Sequence, residues 1–123
     1  MTLQELYTLV DGNYNHAVQI MRMEKLIDRY VRKFPGSNAY DALKAAGETM
    51  DPTALFESAH ALKGVCANLG FDEMASVAGD ITEDYRPGAT RSLSDGEIKD
   101  RIAKIETLYQ RTIAGIEAYV ASN

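Results

Sequence analysis

Apolar residues recur at steps of three and four along almost the whole chain of 123 residues. These steps place apolar side chains on one side of an α-helix, and they constrain the fold more than any other feature of the sequence. The alternation of apolar and polar residues that marks a half-buried strand is found nowhere. We therefore predict an all-α protein. The clearest inner side of a helix has five members: Leu55, Ala59, Leu62, Cys66 and Leu69.

Two helices are predicted in the first third of the chain, over residues 2–10 and about 14–34. The first begins at a capping box in which Thr2 and Glu5 satisfy each other's backbone N–H groups. Asp11-Gly12-Asn13 ends it. The second helix has an inner side of five residues at helical spacing: Ile20, Met23, Ile27, Tyr30 and Phe34.

Proline and glycine indicate the next helix boundaries. Pro35-Gly36 is expected to kink or break the second helix, and Ser37 to cap a continuation to about Met50, so that both pieces act as one bent arm. Asp51 followed by Pro52 predicts the start of another helix, because proline fits the first helical position. We expect that helix to run to Leu69.

An antiparallel helical hairpin is predicted around Gly70. Glycine supplies the left-handed conformation that ends a helix, and Asp72 is expected to cap the next one almost at once. That helix should stop at Arg86-Pro87-Gly88, before a polar loop. Its inner side is predicted to contain Met74, Val77, Ala78, Ile81 and Tyr85.

The last helix is predicted to start at a second capping box, formed by Ser94 and Glu97. Its inner side has six predicted members: Ile98, Ile102, Ile105, Tyr109, Ile116 and Val120. The helices together predict one domain over residues 1–123. Its expected architecture is an antiparallel up-down-up-down four-helix bundle with a short additional N-terminal helix.

Composition narrows the function classes. A hydrophobic fraction of 46%, a charged fraction of 25% and three prolines indicate a folded chain. The net charge of −5 argues against a general nucleic-acid binder and favours protein partners. Because there is one cysteine, no signal peptide and no membrane-spanning apolar run, we expect a cytoplasmic protein. We also expect it to be a monomer. The initial methionine suggests a free-standing protein, although an excised domain of a hybrid sensor kinase would look the same.

His60 is the candidate functional residue, because it should lie off the buried side of its helix and face solvent. A neutral imidazole is a good nucleophile towards phosphorus. Lys63, one turn further on, can neutralise an added phosphate, and Gly64 leaves room for a bulky partner at a cost in helix propensity of about 1 kcal/mol. Small or apolar neighbours complete the expected docking surface: Phe56, Ala61, Ala67 and, on the second helix, Met21.

The predicted hairpin also suggests a partner for the imidazole. If the two helices fold back about Gly70-Phe71, residues equally far from residue 71 come level, which pairs His60 with Thr82. A hydroxyl there can accept a hydrogen bond from one ring nitrogen and leave the other free to attack. Gly79, one turn earlier, gives further room.

The run His60-Ala61-Leu62-Lys63-Gly64, followed by Leu69-Gly70, resembles the signature of histidine-containing phosphotransfer (HPt) domains of phosphorelays. The resemblance implies a helical bundle in which His60 accepts a phosphoryl group from a receiver-domain aspartate and passes it to another receiver. It implies that Lys63 supports the phosphate and that Gly64 gives access. Family members often carry a polar residue, frequently glutamine, at the position of Thr82, and a small residue at that of Val65.

No phosphate-binding loop, metal-binding carboxylate set or nucleophile elbow is present, so we expect neither ATP binding nor autophosphorylation. No cofactor is expected; Mg²⁺ would belong to the partner receiver. A zinc site of His16, His60 and Cys66 is disfavoured, because positions 60 and 66 face different sides. His16 is interpreted as a surface residue and Cys66 as core. The alternatives are a binding module that sequesters receivers without phosphorylation and a metal-dependent enzyme.

Two further interpretations concern helix faces. Met23 is expected in the core and Met21 at the docking surface. Residues 14–34 hold five Lys or Arg against two Asp or Glu, whereas residues 72–86 hold one against five. We interpret these segments as solvated faces that attract each other across the bundle, in preference to a polar rim that steers a partner.

Overall fold

The protein is all-helical in a computed structural model that describes all residues 1–123. No strand is present, as predicted. None of the helices has the length and apolar character needed to cross a membrane. In chain order the helices are α1 (Leu3–Leu9), α2 (Tyr14–Met21), α3 (Glu24–Lys33), α4 (Ala39–Thr49), α5 (Pro52–Asn68), α6 (Asp72–Asp84) and α7 (Asp95–Ser122), with a 3₁₀ turn at Phe34–Gly36.

Helices α4, α5, α6 and α7 pack on one another in a closed ring. α5 packs on α4 and α6, and α7 packs on α6 and α4. One continuous core of 26 buried apolar residues joins these four helices to α1, α2 and α3. It includes every predicted inner residue of α5 and α6. Because α5 is packed on both sides, only its outer face remains open to solvent.

The capping signals predicted at Thr2, Asp51 and Ser94 are confirmed. Thr2 with Glu5, and Ser94 with Glu97, form complete capping boxes at the starts of α1 and α7. The Asp51 carboxylate accepts a hydrogen bond from the Ala54 backbone at 3.0 Å. These bonds satisfy N–H groups that the first turn of a helix leaves without partners, and so fix where each helix starts.

The prediction of one helix over residues 14–34 is wrong. The chain breaks at Arg22, which adopts a left-handed conformation with φ 71°, and Met23 is extended. The break rotates α3 relative to α2, so that α3 buries Ile27 and Val31, and the 3₁₀ turn after it buries Phe34. The predicted inner side of the helix is therefore not buried as one face, and Ile20, Met23 and Tyr30 are exposed.

The continuation after Pro35-Gly36 exists, but not as part of one bent arm, because three separate α-helices span residues 14–49. The Ser37 hydroxyl accepts a hydrogen bond from the Ala39 backbone at 3.3 Å at the start of α4. At the C-terminal end of the chain, Tyr119 takes the buried position that was predicted for Val120, which is 41% exposed.

The turn between α5 and α6 holds the N-terminal segment in place. Gly70 has φ +70°, as expected for the end of α5, and its C=O group accepts a hydrogen bond from the Asn13 N–H at 2.7 Å. A β-carbon at residue 70 would collide with the backbone of Asn13 and Ala17. Asp72 does not cap α6, contrary to prediction, since it already belongs to the first turn. Its carboxylate instead accepts hydrogen bonds from Asn13 Nδ2 at 3.1 Å and contacts His16 Nδ1 at 2.7 Å.

The predicted attraction between residues 14–34 and 72–86 is mostly wrong. The contact of His16 Nδ1 with the Asp72 carboxylate is the one polar side-chain contact that joins these segments. Two acidic residues of α6 pair with α7 instead: Arg101 with Asp80 at 3.1 Å, and Lys104 with Glu73 at 3.5 Å. The charge of these two residues is thus compensated by the helix that packs beside α6.

Candidate functional site

The imidazole of His60 projects from the outer face of α5 into solvent, as predicted. Its neighbours Ala59 and Leu62 are buried and hold the helix against the core. The His60 ring lies 5.5 Å from the Phe56 ring, centroid to centroid. An exposed imidazole on a firmly packed helix is accessible to a macromolecular partner while its backbone stays fixed.

Two contacts establish the register of the α5–α6 hairpin. The side chain of Lys63 lies over Gly79, and the guanidinium carbon of Arg86 lies 5.5 Å from the centre of the Phe56 ring. Within each pair the two residues lie equally far from Phe71 along the chain, so the predicted register is confirmed. His60 therefore lies level with Thr82, between these two contacts.

Thr82 does not play the part that its position suggested. Its side chain is fully buried, and its hydroxyl donates a hydrogen bond to the Ala78 carbonyl at 2.9 Å. No hydrogen bond joins it to His60. A threonine within a helix readily bonds the carbonyl four residues earlier, and this local acceptor competes with any partner on the next helix. The expected orienting role of Thr82 is thus not supported by its contacts.

Lys63 and Gly64 differ in their surroundings. Lys63 is half-buried, because its aliphatic stem lies along α6 at Gly79. Gly64 is exposed, and a β-carbon added there would meet nothing within 4 Å. The surface beside His60 is therefore open on the Gly64 side and occupied by a mobile positive charge on the Lys63 side.

Two charged residues at this site were not predicted, Glu83 and Arg86 on α6. The Arg86 guanidinium binds the Glu83 carboxylate with two hydrogen bonds, Nε to Oε2 at 3.0 Å and Nη2 to Oε1 at 2.8 Å. These bonds, together with the nearby charges of Arg86, Lys63 and His60, lower the pKa of the Glu83 carboxyl. The i,i+3 spacing of the pair and the hairpin register were the available sequence signals.

The other predicted docking residues lie around the α5 face. Ala61 is exposed, and Phe56 and Ala67 are half-buried. Met21 is half-buried and borders an apolar groove that also includes Tyr30, Phe34, Val65 and Leu69. Met23, predicted in the core, is 55% exposed because it lies at the break between α2 and α3.

The residues considered for zinc do not come together. Cys66 is buried, and burial raises the pKa of its thiol to about 12, which keeps it protonated. Its side chain belongs to the core, on a different face of α5 from His60. His16 contacts Asp72 at the turn between α5 and α6, away from His60. No group of three His, Cys, Asp or Glu side chains in the structure is arranged to hold a metal ion.

In a comparison with protein families, residues 19–115 match the Hpt domain model. The matched range covers more than half of the chain and contains α3 to α6 entirely, so the chain belongs to the Hpt domain family. Hpt domains are phosphocarrier modules of two-component phosphorelays. Neither the curated proteins nor the solved structures include a match to this chain. Helix α1 and the first half of α2 lie outside the matched range.

Proposed function

We propose that this protein is a phosphorelay intermediate in which His60 carries the phosphoryl group. The observation that supports this most directly is the exposed imidazole of His60 beside the open surface over Gly64. A receiver domain must bring an aspartyl phosphate to within bonding distance of a ring nitrogen. A surface without side chains on one side of the imidazole permits such an approach.

The chemistry is a nucleophilic displacement at phosphorus. The lone pair of one imidazole nitrogen forms a bond to phosphorus, while the P–O bond to the receiver aspartate breaks and the carboxylate leaves with the electron pair. The reverse reaction transfers the group to another receiver. Lys63 stabilises the added charge, and the Mg²⁺ that such sites need would be bound by the receiver. We expect no ATP-dependent phosphorylation by this chain alone.

The proposed docking surface comprises the exposed α5 face and the adjoining groove. Gly64, Ala61 and Ala67 provide a flat approach, and Phe56 and Met21 provide apolar contact area. A hybrid sensor kinase and response-regulator receivers are the proposed partners. We infer that α4 to α7 form an antiparallel up-down-up-down bundle, which their mutual contacts support. The monomeric state and the cytoplasmic location stay predictions.

The test is phosphoryl transfer from receiver domains that have been loaded with acetyl phosphate. We expect an acid-labile, base-stable label on the wild type and on His16→Gln, the matched control at the other histidine. No label is expected on His60→Gln. A wild type that binds a loaded receiver but takes no label would contradict the proposal and support the alternative, a module that sequesters receivers.

A further inference from the structure

Three charged side chains lie around His60 on the surface where α5 packs on α6: Lys63, Glu83 and Arg86. The Lys63 stem lies over Gly79, one turn to one side of the imidazole, and Arg86 lies over Phe56, one turn to the other side. Glu83 is next to Thr82, which is level with His60. The imidazole thus has a cation on each side and a carboxylate between the two cations.

In the ion pair of Glu83 and Arg86, the carboxylate is readily replaced by another anion. Its two hydrogen bonds fix the guanidinium in one orientation, yet the Arg86 and Glu83 side chains are 44% and 60% exposed. An ion pair exposed to this extent contributes little net free energy, so a stronger anion nearby can replace its carboxylate. The Arg86 guanidinium lies over the Phe56 ring, and the Phe56 ring also lies beside the His60 ring. Arg86 is therefore held beside the imidazole whichever anion it binds.

Phosphorylation of His60 changes the balance of charge among these side chains. When the imidazole nitrogen bonds to phosphorus and the donor group leaves, up to two negative charges are placed beside the Glu83 carboxylate. Like charges at short range repel, and Glu57, one turn before His60 on α5, adds another carboxylate. A guanidinium binds a phosphoryl group with two hydrogen bonds, as it binds a carboxylate. The more highly charged anion is therefore favoured as its partner.

We propose that Arg86 exchanges partners when His60 is phosphorylated, leaving the Glu83 carboxylate and binding the phosphoryl group. This inference rests on the proposed function. In it, Arg86 binds phosphate and Glu83 is a positioning residue, which holds the guanidinium ready while His60 is unmodified. Arg86 then stabilises the phosphorylated state, whereas Glu83 destabilises it. The two residues together set how readily His60 accepts and returns the group.

The exchange is tested without a receiver by loading the protein with phosphoramidate. The imidazole nitrogen bonds to phosphorus as the P–N bond of phosphoramidate breaks and ammonia leaves. The NMR signal of Arg86 Nε–H is recorded before and after loading. We expect a large shift in the wild type and none in His60→Gln treated in the same way. An Arg86 signal that stays unchanged in the loaded wild type would overturn the proposal.

A second measurement uses the ³¹P signal of phosphohistidine during a pH titration. A nearby cation favours the doubly charged phosphoryl group, and a nearby carboxylate disfavours it. Arg86→Gln should therefore raise the titration midpoint by about half a pH unit, and Glu83→Gln should lower it by a similar amount. Equal midpoints in both variants and the wild type would overturn the proposal.

Asp28 and Arg32 on α3 provide a matched control. Arg32 Nε donates to both carboxylate oxygens of Asp28, at 3.0 and 3.1 Å, and this arginine–carboxylate pair is also partly exposed. Asp28 in addition accepts a hydrogen bond from the Tyr119 hydroxyl of α7. Asp28→Asn and Arg32→Gln should leave the ³¹P midpoint unchanged, and a shift as large as that of Arg86→Gln would overturn the proposal. Failure of phosphoramidate to load His60 would instead count against the proposed function, so the two failures are distinguishable.

Discussion

The side chain of Lys63 lies across Gly79, with its Cδ 3.7 Å and its Cε 3.8 Å from the place that a β-carbon at residue 79 would occupy. The glycine on α6 therefore provides the surface along which the lysine of α5 extends. This contact links a position with no side chain to the charge that is proposed to support the phosphoryl group. It leads to a prediction about each residue.

Lys63→Ala should slow the loading of His60 by phosphoramidate about tenfold, which corresponds to about 1.4 kcal/mol of lost stabilisation of the developing charge. Thermal unfolding should change little, because the lysine is half-buried only along its stem. The rate is measured by ³¹P NMR, with His60→Gln as the blank. Loading at the wild-type rate would show that the phosphoryl group does not need this cation.

Substitutions at Gly79 separate its two roles. Gly79→Ala adds a β-carbon at ordinary contact distance from Lys63, so it should keep the loading rate and stabilise α6 by about 0.5–1 kcal/mol. Gly79→Leu should displace the lysine and slow loading as Lys63→Ala does. Rates and urea unfolding are measured together. A normal rate in Gly79→Leu would mean that the lysine works from another position.

Gly64→Ala should raise the free energy of unfolding by up to about 1 kcal/mol, because a mid-helix glycine is replaced where nothing lies within 4 Å. Gly64→Gln should unfold normally but weaken receiver binding, since its side chain extends into the proposed docking surface. Urea unfolding and titration calorimetry measure the two effects.

The matched control for the stability effect is Gly115→Ala on α7. A β-carbon there would collide with Cγ1 of Val10 on the N-terminal segment, so the same substitution should destabilise by about 1–3 kcal/mol. If Gly64→Ala also destabilised the protein, its glycine would be needed for packing and not for access.

The parts of the fold that could be predicted from sequence rest on local signals. The capping boxes, the inner side of α5 and the left-handed Gly70 each depend on residues within one or two turns. The hairpin register follows from those signals, because a short turn leaves two antiparallel helices little freedom. It placed Thr82 level with His60 without a structure, and the contacts of Lys63 with Gly79 and of Arg86 with Phe56 follow the same register.

What could not be predicted depends on distant partners. Arg22 takes a left-handed conformation with neither glycine nor proline to indicate it, because burial of Ile27 and Val31 requires α3 to turn away from α2. Asp72 has the sequence of a helix cap but binds Asn13, which is 59 residues away. Thr82 was placed correctly beside His60, yet its hydroxyl binds within its own helix.

The N-terminal segment outside the family match is predicted to stabilise the bundle. The Tyr7 hydroxyl donates a buried hydrogen bond to the Leu69 carbonyl at 2.6 Å, and its ring stacks on Phe71. Tyr7→Phe should cost about 1–2 kcal/mol, because the carbonyl loses its donor. Tyr40→Phe is the control: its buried hydroxyl has no partner, so removal should cost nothing. Equal costs in urea unfolding would contradict this assignment.

The loop between α6 and α7 is predicted to make the fold sensitive to acid through Asp84. Burial by itself raises the pKa of this carboxyl, but hydrogen bonds from the Ser92 and Leu93 backbones, from Arg91 and from the Ser92 hydroxyl lower it overall. Because the pKa is lower in the folded state, Asp84 stabilises the protein above its unfolded pKa. That contribution is lost as the pH falls through the folded pKa.

Asp84→Asn should therefore lower the free energy of unfolding at pH 7 by about 2–3 kcal/mol, since it leaves Arg91 beside a neutral group and disrupts the loop. It should also flatten the fall in stability between neutral and acid pH. Asp95→Asn is the control, because Asp95 pairs with the same arginine at 3.3 Å but is 67% exposed. Its removal should cost less than about 1 kcal/mol. Urea unfolding at several pH values measures both, and parallel pH profiles for Asp84→Asn and the wild type would show that the acid sensitivity arises elsewhere.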